Sequence, residues 1–87
     1  MILNKYATFT TIEESTLIIN SSNQKALVLD AKGTEIWKLI EQGKSKSEIL
    51  IFLTIKYPET EVSIIDRDLE EFIESLKDCE VLLEDEV

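Results

Sequence analysis

The stretch from Ile64 to Lys77 constrains the fold more than any other part of the chain. Apolar residues recur there every three or four positions, which is typical of a helix that packs one side on a core. These residues are Ile65, Leu69, Phe72, Ile73 and Leu76. Ser63 predicts the N-cap, and Lys77 suits the negative end of the helix dipole. The other side of this helix is acidic, so it is expected to face solvent or a partner.

Charge is distributed unevenly along the 87 residues, which are few enough for one domain, residues 1–87. The net charge is −9, and residues 1–58 carry 7 basic and 6 acidic side chains. Residues 59–87 carry 2 basic and 12 acidic side chains, so the whole excess lies on the last helix and the tail. This argues against a nucleic-acid partner, whose phosphates need Lys and Arg on the docking face.

The chain lacks the residues that most catalytic or metal sites need. It has no histidine and a single cysteine, Cys79, which is flanked by the acids Asp78 and Glu80. Acidic neighbours disfavour a reactive thiolate. No glycine-rich phosphate loop is present. We therefore expect no catalytic residues, no cofactor and no metal site, and thus not an enzyme. With no visible signal peptide or apolar run of membrane length, a cytoplasmic location is the default.

The first thirty residues predict β structure. Ile2–Leu3, with Tyr6 and Phe9, forms a weak first strand. The stronger signal is a hairpin of residues 16–20 and 25–30 around a polar turn. Ala26 to Leu29 is apolar on both faces, which indicates that this strand lies inside the sheet or awaits a partner.

Three helices are predicted after the strands, at about residues 31–42, 46–57 and 64–77. Asp30 is the preferred cap of the first, with Thr34 as the alternative, and Gly43 ends it. Ser45 and Glu48 form a capping box for the second, and Pro58 ends that helix. Val81–Leu83 adds a short strand or packs as a tail, and Glu84–Glu86 is expected to fray. The expected fold is α+β and winged-helix-like, with a three-stranded antiparallel sheet at about residues 2–29 followed by three helices.

Three segments of the chain resemble the PqqD-like family in the order of their apolar positions and caps. They are Leu27–Gly43, Ser45–Ile49 and Asp66–Leu76. Members of this family are also called RiPP recognition elements, because they serve ribosomally made and post-translationally modified peptides (RiPPs). The short stand-alone members of lasso-peptide clusters are the most similar in length and in the Asp-Ala-x-Gly-x-x-Ile-Trp segment.

The resemblance implies a non-catalytic module that binds the leader peptide of a precursor as an added strand. The leader would pair with the edge of the third strand, in a groove against the third helix. An edge strand offers unpaired N–H and C=O groups, so this mode is physically reasonable. Ten residues are implied as peptide-binding: Lys25, Ala26, Leu27, Val28, Leu29, Asp66, Arg67, Leu69, Glu70 and Ile73. Of these, Leu69 and Ile73 would line the groove, and Asp66, Arg67 and Glu70 would lie at its rim. The core residues of this helix would be Ile65, Phe72 and Leu76.

The lasso resemblance also implies partners. The leader would be handed to a separate leader peptidase, a cysteine protease, and the module would work beside a macrocyclase. Exposed helix faces with Lys38, Lys44 and Lys46 are candidate docking sites. Two alternatives stay open: a winged-helix DNA-binding protein, and an interaction domain that pairs with itself through the same edge strand.

Overall fold

The computed structural model describes residues 1–83, which form an antiparallel sheet, three helices and a small second sheet. The strands are β1 (Ile2–Leu3), β2 (Ala7–Ile12), β3 (Ser15–Asn20), β4 (Lys25–Leu29) and β5 (Leu82–Leu83). The helices are α1 (Ala31–Glu41), α2 (Lys46–Lys56) and α3 (Val62–Asp78). The larger sheet is antiparallel with three strands, as predicted, in the order β2-β3-β4. The predicted first strand is corrected, because Ile2–Leu3 belongs to the small sheet and Ala7–Ile12 is the first strand of the larger one. The expectation for Glu84–Glu86 lies outside the described residues.

The central strand β3 explains why one face of the larger sheet is buried. Thr16, Ile18 and Asn20 are buried, whereas Leu17 and Ile19 between them are exposed. Residues along a strand alternate between faces, so the first set points to the helices and the second to the outside. The pairing of β3 with β4 aligns Ile18 with Leu27 and Leu17 with Val28. Leu27 and Leu29 therefore share the inner face.

The two ends of the chain meet in the small sheet. β1 pairs antiparallel with β5, with Ile2 opposite Leu83. Asn4 reinforces the junction, because its backbone N–H donates to the Val81 carbonyl at 2.9 Å and its side-chain amide donates to the Glu80 carbonyl at 2.8 Å. The segment Val81–Leu83 is thus a short strand with a partner, which resolves the two possibilities predicted for it.

Local capping residues set where α1 and α2 begin. The Asp30 carboxylate accepts from the Gly33 backbone N–H at 2.8 Å, which confirms the earlier of the two predicted starts for α1. The Ser45–Glu48 capping box is present at α2. Hydrogen bonds from the backbone and side chain of Ser45 hold the pKa of Glu48 below its usual value of 4.5. Gly43 follows α1 with φ of 85°, a left-handed conformation that glycine adopts without strain.

The predicted cap of α3 is wrong. The helix begins at Val62 rather than Ile64, and its N-cap is Glu61, whose side chain makes no capping hydrogen bond. Ser63 therefore lies inside the first turn. Pro58 ends α2 as expected, and the first helical hydrogen bond of α3 runs from the Ile65 backbone N–H to the Glu61 carbonyl at 3.1 Å.

The core lies between the inner face of the larger sheet and the three helices. One cluster joins β3, β4, all three helices and β5. Its buried apolar residues are Ile18, Leu29, Ile36, Trp37, Ile40, Ile49, Leu53, Ile65, Leu69, Ile73, Leu76, Val81 and Leu82. A buried Thr16 hydroxyl donates to Thr34 at 2.9 Å, which joins β3 to the first turn of α1. None of the helices among residues 1–83 is both long and apolar enough to cross a membrane.

Candidate functional site

The candidate site is a cleft between the edge strand β4 and helix α3. β4 pairs with β3 on one side only within residues 1–83, so its other edge faces the cleft. The cleft has a volume of about 380 Å³. Its lining comes from β4, from the first turns of α1 and from one side of α3: Leu27, Val28, Leu29, Asp30, Lys32, Gly33, Ile36, Asp68, Phe72 and Ser75.

A hydrogen-bonded clamp joins the β3–β4 turn to the end of α3, the two elements that continue into the walls of the cleft. The buried Asn20 side chain donates from Nδ2 to the carbonyls of Cys79 and Glu80, at 3.0 and 3.1 Å. Its Oδ1 accepts from the Ser22 backbone N–H and hydroxyl. Lys25 adds a bond from Nζ to the Asp78 carbonyl at 3.2 Å, where a cation also suits the negative end of the α3 dipole. The β3–β4 turn is therefore fixed to the end of α3, so the two walls of the cleft stay in register.

Gly33 allows the first turn of α1 to pack closely against α3 and β4. A Cβ atom at this position would lie 3.1 Å from Cε1 of Phe72 and 3.3 Å from Cβ of Leu29. The Phe72 ring thus rests against the bare backbone of the first turn of α1. Phe72 is half-buried, and together with Leu27 and Ile36 it makes the cleft mainly apolar.

Charge at the cleft is sparse and of both signs. Lys32 lies on the α1 wall and Asp68 on the α3 wall, and both are exposed. Arg67 Nε lies 4.0 Å from Asp68 Oδ1. Exposed charges contribute little binding energy, typically up to about 1 kcal/mol for a pair. Most of the binding energy that this site can contribute therefore comes from its apolar surface.

Of the five predicted β4 residues, Leu27, Val28 and Leu29 line the cleft, whereas Lys25 and Ala26 do not, and the structure also corrects the predicted face of α3. Leu69 and Ile73 are 0% and 3% exposed and belong to the core, so the expectation that they line the groove is wrong. Phe72, expected in the core, lines the cleft instead with Asp68 and Ser75. These three follow the spacing i, i+4, i+7, which puts them on one side of the helix. This spacing on α3 and the position of Gly33 inside α1 are the sequence features that could have indicated the cleft.

The predicted rim is also displaced. Glu70 forms a salt bridge with Lys46 of α2, so it points away from the cleft. Asp66 is exposed and does not line the cleft, and Arg67 reaches it only through its neighbour Asp68. The predictions for Asp66 and Glu70 failed for the same reason. The prediction assumed that Ile65, Phe72 and Leu76 mark the core side of α3, but that side centres on Leu69, so the helix is rotated about its axis relative to the predicted orientation.

A second surface beside the cleft is apolar and exposed. On the outer face of the larger sheet, Leu17, Ile19 and Val28 are 40%, 44% and 72% exposed. Leu17 pairs with Val28 and Ile19 with Ala26, so these side chains form one patch. The patch reaches the free edge of β4, since Val28 borders both the patch and the cleft. The two-sided apolar strand read from the sequence therefore has one face in the core and one face uncovered within residues 1–83.

Comparison with known proteins agrees with this architecture. The family model described as coenzyme PQQ synthesis protein D (PqqD) matches residues 15–82, from the start of β3 into β5. The chain belongs to the PqqD family. The resemblance seen from Leu27 to Leu83 is thus confirmed, and β1 and β2 lie outside the match. A search of curated proteins gives no match.

The PqqD-family fold also matches a solved structure over its full length. The structure is of TbiB1 in complex with the TbiA(beta) leader peptide. The TM-score is 0.90 and the sequence identity is 25%, and the alignment covers 100% of both chains. The agreement includes the N-terminal strands that the family model leaves out, so the whole described fold of this PqqD-family chain is shared with TbiB1.

Proposed function

We propose that this chain is a non-catalytic leader-peptide-binding module, a RiPP recognition element, and that the leader binds in the cleft as an added strand on β4. The observation that carries the proposal is a strand edge that has no partner among residues 1–83 and faces an apolar cleft in a PqqD-family fold. TbiB1, which shares this fold, forms a complex with a leader peptide. An extended peptide would gain main-chain hydrogen bonds from β4, while its alternate side chains enter the cleft.

The cleft indicates which property of the leader decides affinity. Burying one apolar side chain against Leu27, Ile36 and Phe72 contributes about 1.5–3 kcal/mol. An exposed ion pair with Lys32 or Asp68 contributes up to about 1 kcal/mol. We therefore propose that an apolar or aromatic leader residue is the anchor, and that charges at Lys32 and Asp68 adjust register.

The partners beyond the leader are part of the same proposal. The similarity to stand-alone lasso elements supports a cytoplasmic module that presents the leader to a cysteine-protease leader peptidase and to a macrocyclase. The outer sheet patch of Leu17, Ile19 and Val28 is the surface we assign to such an enzyme, in place of the lysine-bearing helix faces. It adjoins the β4 edge, so an enzyme docked there would lie beside the bound leader.

Neither alternative function gains support. A DNA-binding α3 would bring Asp66, Asp68 and Glu71 towards phosphates, which is electrostatically unfavourable. Self-pairing through the β4 edge would compete with the leader, so excess leader would dissociate such a dimer. Leader binding that leaves an edge-paired dimer intact would count against our assignment of the edge.

A pair of variants on one helix tests the cleft. Ser75→Trp places a large side chain in the cleft from an exposed position, and Ser63→Trp makes the same change away from it. The probe is the leader segment of the precursor encoded beside this gene, and isothermal titration measures its affinity. We expect Ser75→Trp to lose at least about tenfold, or roughly 1.4 kcal/mol, and Ser63→Trp to stay within about twofold. Equal affinities for the two variants would contradict the proposed site.

A further inference from the structure

Helix α2 is apolar on nearly every side, although it lies at the surface. Ile49 and Leu53 face the core and are at most 1% exposed. Ile51 and Ile55 lie on the opposite side and are 60% and 74% exposed. Helices that are apolar all round are normally buried. The outward side of α2 therefore has the composition of a covered surface, and residues 1–83 do not cover it.

The shape of this side is that of a helix-packing surface. Ile51 and Ile55 are one turn apart and form a ridge along the helix. An apolar groove of about 260 Å³ runs beside the ridge towards α3 and is lined by Leu50, Thr54 and Val62 with the ridge residues. A second groove of about 310 Å³ lies on the side of α1. Ridges of residues four apart fit into grooves of the same spacing on a neighbouring helix. We call this surface of ridge and grooves the α2 face.

We propose that the α2 face binds a second copy of this chain, with the two α2 helices packed antiparallel about a two-fold axis. Such an interface uses the same patch on both copies, so the patch must be complementary to itself. The α2 face meets this requirement, because it presents a ridge and an adjacent groove. The Ile51–Ile55 ridge of one copy enters the groove lined by Leu50, Thr54 and Val62 on the other.

Charges at the two ends of α2 favour the antiparallel arrangement. Lys44, Lys46 and Glu48 lie at the N-terminal end, where Lys44 and Glu48 also line the second groove, and Lys56, Glu59 and Glu61 lie at the C-terminal end. With two bases and one acid at the first end and one base and two acids at the second, the ends carry net charges of +1 and −1. Antiparallel packing brings Lys44 of one copy towards Glu59 and Glu61 of the partner subunit. Parallel packing would bring like charges together. The ridge itself carries no charge, so its burial leaves no ion unpaired.

The interface is expected to be weak and reversible. Only a few side chains form the α2 face, which is at the small end of specific interfaces, below about 1,200 Å² in total. The net charge of −9 on each copy also opposes association. No residue that lines the cleft belongs to α2, so both copies would keep the β4 edge free. The proposal therefore does not depend on the peptide-binding function.

Sedimentation velocity on the whole chain from about 10 µM to 1 mM tests the proposal, because this range spans the affinities expected of small interfaces. We expect the weight-average sedimentation coefficient to rise with concentration, from the value of one chain towards that of two. Ile55→Glu and Ile55→Lys should both keep the protein monomeric at the highest concentration, since either charge would be buried unpaired. Ile12→Glu is the matched control: Ile12 is 70% exposed on β2, and its variant should associate like the unmodified chain.

The outcomes separate this proposal from the peptide-binding one. A monomer at all concentrations overturns it, as does a dimer that Ile12→Glu dissociates and Ile55→Glu does not. Circular dichroism must show that the Ile55 variants remain folded. Leader affinity measured on the same variants should stay within about twofold, or roughly 0.4 kcal/mol. Loss of leader binding in Ser75→Trp concerns the cleft alone and should leave the dimer unchanged.

Discussion

Replacing Gly33 with alanine should reduce leader affinity and lower the free energy of unfolding by at most about 1 kcal/mol. Gly33 lies in the first turn of α1, and an added Cβ would lie 3.1 Å from Phe72 Cε1, 3.2 Å from Asp30 Oδ1 and 3.3 Å from Leu29 Cβ. These distances require shifts of a few tenths of an ångström. Leu29 is buried, so Phe72, which borders the cleft, is the neighbour that can move.

Two opposing contributions set the change in the free energy of unfolding. Alanine is favoured over glycine in a helix by up to about 1 kcal/mol. Overpacking costs about 1–3 kcal/mol, and a neighbour with open space on one side keeps the cost near the lower limit. The net loss should be at most about 1 kcal/mol, which lowers the melting temperature by roughly 4–8 °C in a chain of this size. The displaced Phe72 ring occupies part of the cleft, so we expect leader affinity to fall about tenfold, or roughly 1.4 kcal/mol.

The assay combines thermal unfolding by circular dichroism with isothermal titration of the leader peptide. Phe72→Leu removes the ring atom that the new Cβ would meet, so the double variant Gly33→Ala/Phe72→Leu should show a favourable coupling in stability. Phe72→Leu alone supplies the reference for affinity. The reasoning is refuted if Gly33→Ala leaves affinity unchanged, or if stability falls sharply and Phe72→Leu does not restore it.

Three further perturbations address the core, the clamp and a helix cap. Leu69→Ala should cost about 2–5 kcal/mol of stability, whereas Phe72→Ala should cost less stability and more leader affinity. Denaturant unfolding measures the stability of both variants, and titration measures their leader affinity. A larger stability loss in Phe72→Ala and a larger affinity loss in Leu69→Ala would contradict the corrected face of α3. Asn20→Ala leaves the Cys79 and Glu80 carbonyls without this donor, so stability should fall by about 2 kcal/mol or more in thermal unfolding. The lowered pKa of Glu48 means that its carboxylate stabilises the fold at higher pH and that this contribution is lost as the pH falls below 4.5. The difference in melting temperature between the unmodified chain and Glu48→Gln should therefore vanish in that acidic range, and a difference that persists there would show that charge is not its cause.

Features fixed by neighbouring residues could be predicted from the sequence. The caps at Asp30 and Ser45 involve backbone groups three residues away, so their side chains suffice to locate the starts of α1 and α2. The same reasoning failed at Ser63, because α3 begins before it, at Val62, with Glu61 as an N-cap whose side chain makes no capping hydrogen bond. A favourable capping residue thus did not by itself fix the start of this helix.

The orientation of α3 could not be predicted, because five apolar residues span too wide a stripe. Leu69 and Ile73 face the core, and Phe72 at the margin of the stripe faces the cleft. The choice depends on how α3 packs against α2 and the sheet, which the apolar pattern within α3 does not specify. The pairing of β1 with β5 is similar, since short apolar pairs at the two chain ends carry no signal of each other. The cleft itself is a gap between elements, so no single local pattern covers its lining residues from β4, α1 and α3.

A backbone amide NMR titration with the leader peptide tests the central claim most directly, because it reports on every element at once. Strand addition predicts shifts along β4 (Lys25–Leu29) and at Asp68, Phe72 and Ser75, with smaller changes at Glu70 and on the exposed side of α2. It also predicts that the outward amides of β4 become protected from hydrogen exchange. Shifts confined to α2, or the absence of any shift at saturating peptide, would contradict peptide binding at the β4 edge.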